Sequence, residues 1–484
     1  MEKGLVTRVK GFVKSIPAYW EAPPEGRHIS YKEFAAYSFG GIGVNTINSL
    51  MGYIGLSSTC LLIGSAYEIE PVHLALMMIF VNIVNLAKTP FVSMLIDNTN
   101  TKYGKFRPYL LLAGVPAAIF ICLMAFVPVG IDYRVKCIII CGIYTLAMVF
   151  QSVFALAFTS LAQVLTPDGE ERTGLLSISQ FVYSLGPSIV NIVLPIFAGF
   201  FAGGMKGVTA YRVIFPVFSA IGIVLSVWTF KDTREKIVVP KSYVAKVKFF
   251  HGIKSLSGNR HFWLFYLYNI LGSMKYGIGS ILTWYCAYVL QSDATLGIMN
   301  AVIGTASVPG MLLAPMLAKK LGKKSCLIMF NLVRAVFTTL MLFTSDSPVL
   351  FIGSLYLATL AIGGDGVICA SMTADIFDYQ QWKTGQRLEG FITQFGGMLV
   401  TGVGLVTGLI VPSLQEYYGL HDDYTVLFDE AIRNPIFNVM IISTLVSTLL
   451  AIVPILFYNL TEKQQQQIAA ELLERKTAED GIEK

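Results

Sequence analysis

The sequence predicts an all-α membrane protein. It has twelve transmembrane helices in two six-helix bundles, with both termini on the cytoplasmic side. Three observations predict this. The 484-residue chain is 54% hydrophobic and only 14% charged, with a mean hydropathy of +0.63, whereas a soluble domain is about 25% charged. Apolar stretches long enough to cross a hydrocarbon core of about 30 Å recur along its whole length. Basic residues then sort by side. Of the 36 Lys and Arg residues, 28 fall in the terminal segments and alternate loops, and 5 fall in the loops between. Only an even number of spans preserves that alternation, and the positive-inside rule assigns the rich side to the cytoplasm.

Residues 1–36 are basic and amphipathic and lack a cleavable apolar core, so they read as a retained cytoplasmic segment. The first bundle, residues 37–230, takes its spans near 37–63, 72–96, 109–128, 136–160, 175–202 and 213–230. Residues 231–261 carry eight basic residues and suit a cytoplasmic linker and interfacial helix against anionic lipid, or a simple orientation signal. The second bundle, residues 262–460, takes its spans near 262–290, 295–317, 325–344, 349–372, 388–412 and 435–460. The polar tail, 461–484, is a helix-former that reads as a solvated cytoplasmic end.

The two bundles echo each other. DNTNTKYGKFRP after span 2 and AKKLGKKS after span 8 are both short and basic, and each turns on a glycine. TPDGEERTGLLSISQF after span 4 and ADIFDYQQWKTGQRLEGFITQF after span 10 both run from acids to an arginine to a helix with a glutamine. Such internal repeats are the architecture of rocking-bundle transport.

The charge of +6 is explained by where the basic residues lie, so nucleic acid is not implied. The seven cysteines sit in apolar segments without ligand spacing, and no metal or cofactor is expected. No Walker-type GxxxxGK[ST] or HExxH is present and the five histidines are scattered, which argues against an enzyme.

Charge inside the spans points to a site. Lys88 stands in VNIVNLAKTP, about eight residues, or about 12 Å, from the cytoplasmic end of span 2. A charge at the centre of a span costs about 2.5–3.5 kcal/mol on insertion scales, so it usually faces a wet cavity or a partner. Asn82, Asn85 and Thr89 make one polar helical stripe with Lys88 at its edge, and Pro90 frees a backbone carbonyl beside it. A functional lysine facing a cavity, a structural ion pair and a snorkelling side chain all fit this pattern. Asp365, in AIGGDGVICA of span 10, is the one carboxylate well inside a span. It can pair with Lys88, or with Lys275 in GSMKYGIG of span 7, where Tyr276 adds a hydroxyl. Two lysines against one carboxylate would favour an anionic solute. Asn45, Asn48, Gln151, Ser152, Gln180, Gln394 and Thr401 are further cavity candidates, each also readable as an interhelical hydrogen bond. Trp284 can stack on a sugar face or stand as a belt aromatic. Asp97, Gly104 and Arg107 in the first loop, with Asp375, Asp378 and Arg387 in the later one, read either as gate charges or as loop anchors.

YSFGGIGVN in span 1, DNTNTKYGKFRPYLL after span 2 and ADIFDYQQWKTGQRLEG after span 10 make the chain resemble the major facilitator superfamily. Within it, the chain is similar to the glycoside–pentoside–hexuronide:cation symporters. The resemblance covers nearly the whole chain and implies alternating access with a central sugar site beside a cation site. It also exposes departures. Where the family carries two cation-binding aspartates on helix 2, this chain has Asn85 and Thr89. The sugar-binding aspartates of helices 1 and 4 fall at Asn45 and Ala155, and an aromatic platform falls at Thr159. The helix 5 arginine falls at Gln180 and the helix 11 lysine at Thr401.

The expectation is therefore a transporter in the cell membrane, of the bacterial cytoplasmic type, moving a small polar, anionic, glycoside-like solute such as a hexuronide. It acts as a monomer in the lipid bilayer and is not sodium-coupled at the usual family site. A proton stays open as a coupling partner. A lipid or lysolipid carrier, a proton-coupled carrier of neutral sugar and a non-transporting sensor on the same scaffold are the alternatives.

Overall fold

The computed structural model describes residues 19–24, 27–98, 101–166, 171, 175–176, 178–179, 182–236, 249–345, 347–385 and 389–482. Gln180 and Arg387 lie outside the described residues, as do the side chains of Thr89, Asp97 and Gln394. Among the described residues there is no β-strand, and nine helices are long and apolar enough to cross a membrane.

The chain divides into two compact units. One comprises Met1–Ile69, Met77–Val244 and Ser292–Gly297, and the other Glu70–Leu76, Ala245–Gln291 and Ile298–Lys484.

The first unit is built on α1 (Tyr31–Gly52), α2 (Pro71–Asn98), α3 (Arg107–Leu112), α4 (Gly114–Ala125), α5 (Tyr133–Leu165), α6 (Leu185–Ala198) and α7 (Val208–Asp232). Helix α1 starts six residues ahead of its expected apolar span. A capping box between Ser30 and Glu33 satisfies its first amides, a polar signal that hydropathy does not register. It also stops early, at Gly52, and a separate π-helical turn covers Leu61–Ala66. Asp132 caps α5 by accepting from the Arg134 and Val135 amides.

The second unit holds α8 (Phe249–Ser257), α9 (Arg260–Leu271), α10 (Ile278–Trp284), α11 (Asp293–Leu321), α12 (Lys323–Met341), α13 (Pro348–Thr384), α14 (Glu389–Thr407), α15 (Ile410–Tyr417), α16 (Glu430–Leu456) and α17 (Glu462–Ile482). Its seventh span, expected as one run, is broken. Between α9 and α10 lies a 3-10 turn, Ser273–Gly277, and a π-helical turn follows at Tyr285–Val289. Non-helical backbone at membrane depth persists where it is packed in protein or lines a cavity, and this break is where Lys275 sits. Helix α13 outlasts its expected apolar span by about three turns. All of ADIFDYQQW is therefore helix rather than loop, and the helix ends where Gly385 adopts φ 72°. The tail also forms a helix. Helix α17 is tied to α13, with Trp382 Nε1 donating to Glu471 at 2.6 Å and Gln465 donating to Asp378 at 3.1 Å.

Small residues set the closest helix crossings, as is usual for membrane bundles. Helices α11 and α13 cross backbone to backbone. A Cβ on Gly310 would stand 2.0 Å from the Leu360 carbonyl, and one on Gly363 2.0 Å from the Ser307 carbonyl.

Candidate functional site

In the first unit, Lys88 leaves α2 and reaches α5. Its ammonium donates to the Met148 carbonyl at 3.2 Å and to the Ser152 hydroxyl. Both acceptors lie near the middle of a 33-residue helix, so the nitrogen is held at depth rather than drawn to a helix end. These two partners are neutral. Asn48 and Gln151 meet at 2.8 Å, joining α1 to α5 and bringing together two more of the expected residues. Asn45 instead donates back to the Gly41 carbonyl of its own helix at 3.0 Å. Asn82 and Asn85 are half-buried on α2.

In the second unit the sequence left two partners open for Asp365, and the structure pairs it with Lys275. The ion pair measures 2.9 Å, and the two side chains are 1% and 0% exposed. Three helical segments converge on it. Tyr268 of α9 donates its hydroxyl to Asp365 Oδ1, and Asn331 of α12 donates to the same oxygen at 3.0 Å. Tyr276 reaches Oδ2 at 3.3 Å. The break after α9 is what turns both Lys275 and Tyr276 toward α13. An ionised carboxylate offers about four acceptor sites, and here four donors occupy them. Tyr268 and Asn331 were not visible as site residues in the sequence. A tyrosine and an asparagine on apolar spans carry no signal until a carboxylate is placed opposite them.

Trp284 does not present an open face. It is fully buried and packs on Phe437, with ring centroids 6.1 Å apart and planes inclined by 29°. Thr401 is half-buried on α14.

The loop residues divide. Arg107 donates to the Phe230 and Tyr103 carbonyls, a loop-anchoring arrangement. Gly104, at φ 106°, brings its backbone against Glu235, where a Cβ would lie 2.5 Å from the carboxyl carbon. That carboxylate accepts the amides of Lys105, Phe106 and Arg107 at 2.8, 2.8 and 3.0 Å, capping α3 from the end of α7. The second unit repeats the device. Gly322, at φ 83°, precedes α12, and Glu462 accepts the Lys323 amide at 2.6 Å. Asp375 takes the Lys323 ammonium at 2.6 Å. Anions at helix N-termini are stabilising through the unpaired amides and the helix dipole. Sequence reading missed both glutamates, although TREK at 233–236 and TEK at 461–463 occupy matching places. Replacing Glu235 with alanine is expected to lower stability by about 1–2 kcal/mol. Thermal unfolding in detergent measures this, and an unchanged midpoint would assign the amides to water. Outside the spans, Glu171 accepts from the Ile29 amide at 2.9 Å and the Thr166 hydroxyl at 2.5 Å. Desolvation opposes ionisation there, but these hydrogen bonds and His28 outweigh it and hold the carboxyl below its ordinary value.

The geometry is that of a membrane bundle with polar groups buried at mid-span, and known proteins match it. A family model described as MFS/sugar transport protein matches residues 36–462. The chain is 28% identical over 340 residues to the isoprimeverose transporter of Lactiplantibacillus pentosus, covering 68% of this chain and 70% of that one. It is 24% identical over 472 residues to the glucuronide carrier protein homolog of Escherichia coli (strain K12), covering 94% and 98%. A D-xylose-proton symporter structure shares the fold, with a TM-score of 0.59 at 13% identity, covering 87% of this chain and 97% of that one. The chain belongs to the MFS sugar-transport family: it is a multi-pass membrane transporter of the glycoside–pentoside–hexuronide type, and not an enzyme.

Proposed function

We propose that the protein moves a small anionic, glycoside-like solute, a hexuronide or similar sugar acid, by alternating access without sodium at the usual family site. The observation that carries this reading is Lys88. Its ammonium is held on Ser152 and Met148 beside the positions where the resemblance implies cation-binding aspartates. A sodium ion needs hard oxygen ligands. A fixed ammonium about 4 Å away would oppose it by about 4 kcal/mol at an effective dielectric constant of 20. The lysine takes the place of the mobile cation, and positive charge in the bundle suits an acid. The relative named as a glucuronide carrier homolog agrees with that substrate class.

A second reading is proton-coupled transport of a neutral glycoside, favoured by the relative named for isoprimeverose. Uptake into proteoliposomes separates the two. The panel is a glucuronide, its neutral glucoside and a lysolipid, each with and without sodium and with and without a proton gradient. The expected result is glucuronide uptake indifferent to sodium and lost in Lys88→Ala. Sodium-stimulated uptake that survives Lys88→Ala would refute the coupling, and preference for the glucoside would move the assignment to the second reading.

A further inference from the structure

Arg334 is the third basic residue inside the spans, beside Lys88 and Lys275, and no role has yet been given to it. It lies on α12, its side chain is 1% exposed, and none of its three guanidinium nitrogens has a hydrogen-bond partner among the described residues. Burying such a group unsatisfied is among the costliest arrangements a protein can hold. Asp365 gives it no hydrogen bond, because Lys275, Tyr268, Tyr276 and Asn331 already fill that carboxylate. Two cations therefore share one anion, and the cluster is one negative charge short. The Tyr276 ring, whose centroid lies 5.5 Å from the guanidinium carbon, and the shared charge of Asp365 offer partial compensation.

The unmet atoms form a pattern. Asn331 and Thr338 flank Arg334 on the same face of α12, one turn away on either side. Asn331 Oδ1 and Thr338 Oγ1 are also buried without partners. The vacancies are thus a guanidinium and a hydroxyl that can donate, and an amide oxygen that can only accept. That set is complementary to an acid group with a neighbouring hydroxyl. Tyr276 is 51% exposed, so one face of the cluster is covered by a side chain that reaches the surface of its unit.

We propose that Arg334 and Thr338 receive the acid group of a hydroxylated organic anion, a carboxylate or sulfonate of sugar type, while Asn331 Oδ1 accepts from its hydroxyl. This rests on the reading of the solute as anionic. The bound acid supplies the missing charge, and a planar guanidinium holds it with two parallel hydrogen bonds. A neutral glycoside leaves the guanidinium unmet, which makes Arg334 the discriminating residue.

The test is the ratio of glucuronide to glucoside uptake in proteoliposomes for the wild type, Arg334→Gln and Arg334→Lys. Arg334→Gln is expected to lower that ratio at least about tenfold. Arg334→Lys should restore part of it. The thermal midpoint of Arg334→Gln without solute should be unchanged or raised, because an unmet cation has been removed, whereas a structural arginine would lower it. A wild type that prefers the acid and an Arg334→Gln variant with the same ratio overturn this assignment alone. A wild type that ignores the acid overturns this assignment and the anionic reading together. Stabilisation by chloride that Arg334→Gln removes while the uptake ratio stays unchanged would make the site one for an inorganic ion, and overturn the proposal too.

Discussion

Asp365→Ala is expected to destabilise the second unit by about 3–5 kcal/mol and to abolish transport. The variant removes the single anion from a cluster holding Lys275 and Arg334, both almost wholly shielded from the exterior. Breaking one side of a buried pair strands the other charge, which is why the loss exceeds the net worth of the pair. Tyr268, Tyr276 and Asn331 each lose their common acceptor as well. The double variant Lys275→Met with Asp365→Leu should regain part of that stability, since it removes one of the two stranded cations together with the carboxylate, and well-packed apolar groups often replace a buried ion pair at little cost. Thermal unfolding in detergent measures the first effect and uptake the second. Equal midpoints for Asp365→Ala and the double variant would mean that the stranded ammonium is not the source of the loss. If Asp365→Ala alone unfolds like the wild type, water already solvates the cluster and the burial argument is wrong.

Gly363→Ala is the second large effect. The added methyl would stand 2.0 Å from the Ser307 carbonyl, with the Ser307 carbonyl carbon only 2.7 Å away. Backbone cannot swing aside as a side chain can, so α11 and α13 must separate. Overpacking costs of this kind run to about 1–3 kcal/mol, occasionally more. Gly366→Ala is the matched control. It lies on the same helix, carries the same propensity gain, and has nothing within 4 Å of the new methyl. The expected outcome is a lowered midpoint and slowed uptake for Gly363→Ala beside a midpoint for Gly366→Ala that is unchanged or slightly raised. Identical behaviour of the two would show that the crossing relaxes without penalty.

Much of the scaffold was legible because a bilayer imposes a length and a polarity on each span, and both are written in consecutive residues. The exceptions have local causes. Helix α1 begins on a capping box of polar residues, and α13 continues through DYQQW because its exit is fixed by Gly385, not by where hydrophobicity ends. The break around Lys275 has no proline to announce it. At the site, a charge inside a span is conspicuous, so Lys88, Lys275 and Asp365 stood out. Of their partners, Ser152 and Tyr276 were among the candidates, whereas Tyr268 and Asn331 become informative only once helices are packed. Arg334 is the last of the three basic residues that the count by side leaves within the spans, and no residue beside it in the sequence gives it a role. Glu235 and Glu462 were hidden in charged runs, where one more acid attracts no notice.

Those two glutamates have a consequence for how the chain is held together. Each one fastens the last transmembrane stretch of its own half to the entrance of that half's third, so neither half borrows this fastening from the other. A chain severed just after Lys236 would leave both fastenings whole. Neither fastening is therefore a reason for the two halves to be carried on one polypeptide.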